Sequence, residues 1–306
     1  MKTMDKILIT GGRGLVGTQF VGKNYTHLSS KDCDLRKTED TENVFKEKWD
    51  AIIHCAAKVG GLGSNMRFKG EFFYDNIMIN TNVIESARKF NVKKLIVFLS
   101  TCVFPDNVEY PLTESKIHLG PPHTSNNAYA YAKRMADIQV RAYKEQYGLQ
   151  YTCVIPTNIY GPNDNFNIEN GHVIPSLIHK CYLSKLNNKP FYVWGSGTPL
   201  REFIHSEDIA KLTELILESG YDDDEPIILS TSEEISIKEV VETIVESFEF
   251  KGQVVWMSDK PDGQYRKPSD NTKLKKLFPN YKFKPFKEGI KETVQWFVEN
   301  YEKARK

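Results

Sequence analysis

The chain has 306 residues, 40% of them hydrophobic and 26% charged, with a formal net charge of +1. That length and composition fit a globular protein of about two domains rather than a disordered chain. The balanced charge gives no basic excess for nucleic acid or an acidic membrane surface. Five cysteines, at 33, 55, 102, 153 and 181, form no CxxC pair. No metal site or disulfide framework is expected, and the expected location is a reducing, cytoplasmic one.

In chain order, Lys6–Thr10 (KILIT) reads as a buried strand, too short for a signal segment. The longest apolar run, Leu95 to Phe104, is about half a membrane span. Ala51–Ala56, Lys94–Ser100 and Tyr151–Pro156 read as further buried strands. Asn76–Phe90 predicts a helix that turns Ile77, Val83, Ile84 and Ala87 to the sheet, and Ala128–Tyr147 predicts another. This alternation predicts an α/β fold: a Rossmann-type doubly wound parallel sheet covered on both faces. Beyond it, Val173–Ser184 and Ser206–Ser219 predict helices, and Phe191–Trp194, Pro226–Ser230 and Val254–Met257 predict short strands. Ser236 and Glu239 have the spacing of a capping box that opens a helix to about Phe248. A last helix carries Ile290, Val294, Phe297 and Val298 on one face, and Asp222-Asp223-Asp224-Glu225 reads as a solvated loop. The expected division is a dinucleotide-binding domain over 1–165, with return segments about 195–230, and a smaller α/β substrate domain over 166–306.

The glycines of Gly11-Gly12-Arg13-Gly14-Leu15-Val16-Gly17 follow the first strand as G-x-x-G-x-x-G. Gly11 permits the turn, Gly14 lets backbone N–H groups approach a pyrophosphate, and Gly17 permits close packing of a following helix whose N-terminus favours the anion. Ser29, Ser30 and Lys31 follow Leu28, where a second strand would end, and suit a 2′-phosphate, with Arg13 as a second cation. NADP(H) is therefore expected. Asp32 leaves NAD open if the strand ends a few residues later. Tyr129 and Lys133 form Y-x-x-x-K on one helix face, where an ammonium eases ionisation of the phenol for proton transfer to a carbonyl. Ser100, at a strand end, can hydrogen-bond the same oxygen.

These motifs sit among AAKVGG (56–61), STCVFP (100–105), GPPH (120–123), NAYAYAKRM (127–135), IPTNIYGPNDNF (155–166), GHVIP (171–175), VWGSGTPLREF (193–203), PIILS (226–230) and KPDGQ (260–264). Through them the chain resembles, over essentially its whole length, the extended short-chain dehydrogenase/reductase family, and within it the bifunctional 3,5-epimerase/4-reductases of a GDP-4-keto-6-deoxyhexose. The resemblance implies an NADPH-dependent conversion of GDP-4-keto-6-deoxy-D-mannose to GDP-L-fucose. It implies Cys102 and His172 as the epimerisation pair, base and acid. It sets Phe98, Leu99, Ser100 and Thr101, Pro156, Thr157, Asn158 and Ile159, and His172 along the cofactor. Lys180, Trp194, Arg201 and Asp262 match positions at the GDP-sugar, with Lys180 standing where bacterial relatives carry Arg. A homodimer built on the helices Ile77–Phe90 and Ala128–Tyr147 is also implied. Two alternatives remain: another NAD(P)-dependent sugar-nucleotide epimerase or dehydratase, and a dinucleotide sensor on a reductase scaffold. The Cys102–His172 pair counts against the first and the intact Tyr129 and Lys133 against the second.

Overall fold

The computed structural model describes residues 4–260, 262 and 264–306. Its strands are β1 (Ile7–Thr10), β2 (Tyr25–Leu28), β3 (Ala51–His54), β4 (Lys94–Phe98), β5 (Gln150–Pro156), β6 (Asn158–Tyr160), β7 (Phe191–Trp194), β8 (Leu200–His205), β9 (Ile227–Leu229), β10 (Glu234–Ser236) and β11 (Val254–Met257). Its helices are α1 (Thr38–Phe45), α2 (Leu62–Arg67), α3 (Lys69–Lys89), α4 (Asn127–Tyr147), α5 (Val173–Leu186), α6 (Ser206–Ser219), α7 (Ile237–Ser247), α8 (Thr272–Leu277) and α9 (Phe286–Glu299).

Six parallel strands form the main sheet in the order β2-β1-β3-β4-β5-β9. Its inner strands are buried along their length, the pattern required of a parallel sheet covered on both faces. One face packs Val83, Ile84 and Ala87 of α3 and Ala136 and Val140 of α4; the other packs Ile209, Leu212 and Ile216 of α6 and Leu274 of α8. From β1 the chain goes outward to β2 and returns on the other side as β3. The crevice beyond the carboxyl ends of β1 and β3 is the switch point where such sheets bind ligands.

The smaller elements form a second core. The sheet β10-β8-β6 and the pair β11-β7 pack with α5, α7 and α9 through Ile174, Ile178, Phe191, Phe203, Val241, Ile244, Ile290 and Phe297. Ser236 caps α7, its Oγ accepting from Glu239 N at 3.1 Å.

Several expectations change. The glycine turn opens into one 3-10 turn, Gly17–Gln19, instead of an α-helix. Only seven residues separate Gly17 from Tyr25, and the return to a parallel neighbour uses nearly all of them. Helix α3 starts at Lys69, with α2 before it; the apolar pattern shows only its later turns because its inward face is partly polar. Asp75, Asn76, Asn80 and Asn82 are buried there, while Ile77 is only half-buried. Each buried amide has partners: Asn76 Nδ2 donates to Phe72 O and Lys58 O, and Asn82 Nδ2 to Leu35 O. Val298 faces outward, unlike Ile290, Val294 and Phe297. The acidic run is a loop, but a tethered one: Lys144 Nζ reaches Asp222 Oδ1 at 2.8 Å, and Lys273 Nζ reaches Glu225 Oε2 at 2.8 Å. Strands β6, β8 and β10 and helices α1 and α8 carry no strong pattern of their own and emerge only through pairing or packing.

Candidate active site

The glycine loop is compact for a reason visible in its contacts. Gly11 has φ +69°, and a Cβ there would lie 2.9 Å from Ala56 N. A Cβ at Gly17 would run into Gly11 O, whereas at Gly14 it would meet only that same oxygen, at 3.2 Å. The loop thus packs tightly inward and stays open on its outer side, which fits a pyrophosphate approaching backbone N–H groups. No α-helix follows, so the helix dipole expected there contributes little.

At the end of β2, Ser29 N and Oγ donate to Asp32 Oδ2 at 2.9 and 2.5 Å. These bonds hold the Asp32 carboxyl below its ordinary range, helped by the charges of Arg13 and Lys31. Asp32 is therefore engaged in closing its own turn rather than free to receive a ribose. The Ser29 hydroxyl also accepts from Lys31 N at 3.3 Å, so it lies within the same turn. Arg13, Ser30 and Lys31 remain exposed beside the turn, a donor set that suits a 2′-phosphate.

The reacting wall is built from the end of β4 and the first turns of α4. Ser100 has extended backbone and accepts from Cys102 N at 3.4 Å, capping the 3-10 turn Thr101–Val103. One α-helical turn separates Tyr129 from Lys133, whose Nζ lies 5.9 Å from the Tyr129 ring centre and donates to Phe98 O at 2.8 Å. Lys133 is 1% exposed, and burial lowers its pKa to about 8, against the pull of Cys102, Cys55 and Cys153. Burial raises the Tyr129 phenol and the Cys102 thiol; for Cys102, Ser100 and the ammoniums of Lys267 and Lys133 oppose the rise. Phe72 of α3 packs edge-on against Tyr129 at 6.4 Å.

His172 precedes α5 on a loop docked onto the segment after β3. Gly61 N donates to Asn170 O at 2.9 Å and Ser64 Oγ to Asn170 Oδ1 at 2.6 Å. Gly60, Ser64, Phe72, Asn165 and Asn170 line an open cavity of about 250 Å3. Solvent reaches His172, yet the surrounding protein lowers its pKa and favours the neutral ring.

The predicted sugar-nucleotide residues lie on α5, β7, β8 and the segment after β11. Lys180 Nζ lies 5.0 Å from the centre of the Trp194 ring, and Trp194 is 61% exposed. Asp262 accepts from Ser196 N at 2.6 Å and Ser196 Oγ at 2.8 Å, fastening its loop to the turn after β7. Arg201 donates to Leu200 O at 2.7 Å, and burial lowers its pKa beside Tyr110.

Residues 7–230 match the NAD dependent epimerase/dehydratase family. Over 98% of this chain and 97% of the relative, the sequence is 50% identical to GDP-L-fucose synthase of Dictyostelium discoideum. It is 43% identical to a probable GDP-L-fucose synthase of Drosophila melanogaster over 99% of this chain and all of the relative. A crystal structure of a GDP-L-fucose synthetase from Naegleria fowleri bound to NADP superposes with a TM-score of 0.92 at 49% identity, over 100% of this chain and 96% of that one. The chain belongs to the GDP-L-fucose synthase family.

In this GDP-L-fucose synthase family member, the predicted residues form three local groups: the glycine loop beside Arg13 and Lys31, the wall of Ser100, Cys102, Tyr129 and Lys133, and the Lys180–Trp194 pair. Phe98 and Leu99 are buried at the end of β4, where Phe98 contributes its carbonyl to Lys133. Pro156 ends β5, and Thr157 N donates to Leu229 O at 3.1 Å. Asn158 Nδ2 donates to Glu202 O at 2.8 Å, which commits it to β8, and Ile159 packs partly buried in β6. Pro261 and Gly263 of the KPDGQ motif lie outside the described residues. Two features escape a sequence reading. The first is a buried strap: Thr10 Oγ1 and His54 Nδ1 are 2.7 Å apart, His54 Nε2 and Asn80 Oδ1 3.1 Å, and Asn80 Nδ2 donates to Ala132 O at 3.4 Å. It joins β1, β3, α3 and α4 behind the site, and burial with the Lys133 charge nearby pushes His54 to about 3. The second is Lys267, whose Nζ donates to Thr101 O at 2.9 Å from 166 residues away. No local pattern signals either.

Proposed function

We propose that this chain is a bifunctional enzyme, a 3,5-epimerase and NADPH-dependent 4-reductase that converts GDP-4-keto-6-deoxy-D-mannose to GDP-L-fucose. The observation that carries this reading is one wall that combines Tyr129 above buried Lys133 with Ser100 and Cys102, in a chain 50% identical to a GDP-L-fucose synthase. NADP(H) is the cofactor and supplies the hydride when bound. The Gly11–Gly17 amides would hold its pyrophosphate, Arg13, Ser30 and Lys31 its 2′-phosphate, and Lys133 its nicotinamide ribose, with Phe98–Thr101 and Pro156–Ile159 alongside. The engagement of Asp32 with Ser29 supports NADP over NAD.

The substrate protons at C3 and C5 are alpha to the C4 ketone. In the assigned direction Cys102 takes such a proton as thiolate. The C–H electron pair moves toward the C4 oxygen, giving an enolate whose charge Ser100 and Tyr129 stabilise by hydrogen bonding. His172 returns a proton to the other face and inverts the carbon, with no net redox change. Reduction uses the same oxygen: Tyr129 gives its proton to the alkoxide formed as C4 is reduced, and Lys133 lowers the cost of the resulting phenolate. Desolvation by the surrounding protein works against the first half, since it raises the thiol and lowers the imidazole; the ammoniums of Lys267 and Lys133 favour the thiolate.

Lys180 and Arg201 would neutralise the GDP pyrophosphate, Trp194 would cover the base or sugar, and Asp262 would act mainly by fixing the turn beside them. The supporting two-domain reading takes residues 1–165 with the return segment about 195–230 as the cofactor domain and 166–306 as the sugar-nucleotide domain. It draws on β9 and α6 packing into the main sheet. A homodimer through α3 and α4 is supported by Phe73, Tyr74, Tyr131, Met135 and Ile138, which are apolar and exposed on these helices. No described helix is long and apolar enough to cross a membrane; a cytoplasmic location is part of the proposal. The test is NADPH absorbance with GDP-4-keto-6-deoxy-D-mannose and identification of the sugar formed. Stoichiometric oxidation yielding GDP-L-fucose supports both halves. Oxidation yielding an unepimerised 6-deoxy sugar removes the Cys102–His172 assignment, and no oxidation removes the activity.

A further inference from the structure

We propose that Lys267 is the positioning cation that makes Cys102 the base of the epimerisation half, an inference that rests on the activity proposed above. Three cations donate to carbonyls of the short segment that carries Ser100 and Cys102. Lys133 Nζ reaches Phe98 O at 2.8 Å, Lys267 Nζ reaches Thr101 O at 2.9 Å, and Arg134 Nε reaches Val103 O at 2.6 Å. Lys133 and Arg134 come from α4 and are fully buried in the wall. Lys267 comes instead from the segment between Asp262 and α8, and its ammonium meets the carbonyl of the residue next to Cys102.

The backbone that carries Lys267 is fixed on two sides. Leu112 N donates to Pro268 O at 2.9 Å and Asp270 N to Leu112 O at 2.8 Å. Ser269 N and Oγ donate to the buried Glu202 at 2.9 and 2.5 Å, and Glu202 is the neighbour of Arg201. The same latch thus sets the position of Lys267 and of the adjacent sugar-nucleotide residue.

The charged and titratable groups that bear on Cys102 are Lys133, Arg134 and Tyr129 from α4 and Lys267 from the segment before α8, with Ser100 as hydrogen-bond partner. Burial raises the thiol; among these groups, Ser100 and the ammoniums of Lys267 and Lys133 pull it back, in that order. Lys133 bonds Phe98 O, and its charge is shared among Cys102, Cys55 and Cys153. Lys267 bonds the carbonyl next to Cys102, with Arg201 and Asp106 as its other charged neighbours, so among the described residues Cys102 is the one reacting residue its charge bears on. In the step itself the thiolate forms an S–H bond with the proton from C3 or C5, the C–H pair moves toward the C4 oxygen, and Lys267 keeps its protons throughout.

The experiment follows the alkylation of Cys102 by iodoacetamide as a function of pH, read from the mass of its peptide, in the unaltered chain, Lys267→Gln and Lys267→Arg. Loss of a neighbouring ammonium should move the midpoint upward by about one pH unit and slow alkylation at neutral pH roughly tenfold in Lys267→Gln, with Lys267→Arg restoring it. Solvent deuterium uptake at C3 and C5 should fall at least tenfold in Lys267→Gln. Hydride transfer measured in reverse, from GDP-L-fucose to NADP+, should fall much less. An unchanged alkylation midpoint with a raised KM for the GDP-sugar would overturn the proposal and leave Lys267 as a phosphate ligand. Equal loss of exchange and hydride transfer without rescue by Lys267→Arg would also overturn it. Lys267→Met, which keeps the aliphatic stem, serves if the Gln variant fails to fold. Alkylation needs no sugar, so it reads the lysine–thiol pairing even if the chain proves inactive on GDP-4-keto-6-deoxy-D-mannose.

Discussion

The two groups of predicted site residues hold similar side chains at different depths. On the β4–α4 wall, Lys133 and Arg134 are buried and their pKa values fall, while the Tyr129 phenol rises. Among the predicted sugar-nucleotide residues, Trp194 and Asp262 are exposed; Lys180 and Arg201 are half-buried, and burial lowers their pKa values too, without the near-complete loss of solvent seen at Lys133. The difference follows the work assigned to each. Charges near developing charge act most strongly when water is excluded. A wall that receives a nucleotide diphosphate gains by keeping its cations partly hydrated until the ligand displaces the water. Both walls are therefore held at a cost in stability, and the more deeply buried reacting wall at the larger one.

The largest test of that contrast is Tyr129→Phe. Removing the proton donor should lower reduction by roughly 10²–10⁴-fold in kcat, read from NADPH oxidation. A loss confined to KM would put Tyr129 on the binding side. Lys133→Met should lose reduction as well while the folded protein gains stability. Its pKa of about 8, against an ordinary 10.5, means the folded chain holds that proton more weakly than the unfolded chain. The penalty is full below about pH 8 and is lifted as the pH rises to 10.5. Offset by loss of the bond to Phe98 O, the gain near pH 7 should be about 2 kcal/mol, measured by denaturant unfolding. A less stable variant would mean that the buried ammonium is not under strain.

Smaller effects belong to the other wall. Arg201→Lys keeps the charge but loses the planar fork, and should raise KM for the GDP-sugar roughly tenfold with little change in kcat. A fall in kcat alone would move Arg201 into the reacting set. Asp262→Asn should cost less than about 1 kcal/mol of stability, as befits an exposed latch, with a KM change of a fewfold. A large stability loss by thermal unfolding would show that the turn after β7 depends on that carboxylate.

Much of this was legible from residue order. The strands β1, β4 and β5 are continuous apolar runs, and α4 repeats its apolar positions at helical spacing, so both are visible in one dimension. The glycine loop and Tyr129-x-x-x-Lys133 are visible because their geometry is local. Helix α3 is less legible: its inward face uses Asn76, Asn80 and Asn82, whose burial is tolerable only because distant backbone groups meet their amides. The turn after Gly17 reads as a helix by motif, yet the chain is too short there to build one. Ser29 and Asp32 read as competing cofactor ligands, and only their mutual hydrogen bonds reveal that each occupies the other.

The sequence by itself determined the sheet's inner strands, the phosphate loop, the Tyr129–Lys133 pair and the family resemblance, since each depends on residues a few positions apart. Tertiary structure alone decided which groups share a dielectric environment. It buried His54 beside Lys133, fastened Asp262 to Ser196, and brought Lys267 to the carbonyl of Thr101. Those contacts join residues 66 to 166 positions apart in the latter two cases. Chain folding fixes such distances through the packing of whole elements, which no local spacing encodes.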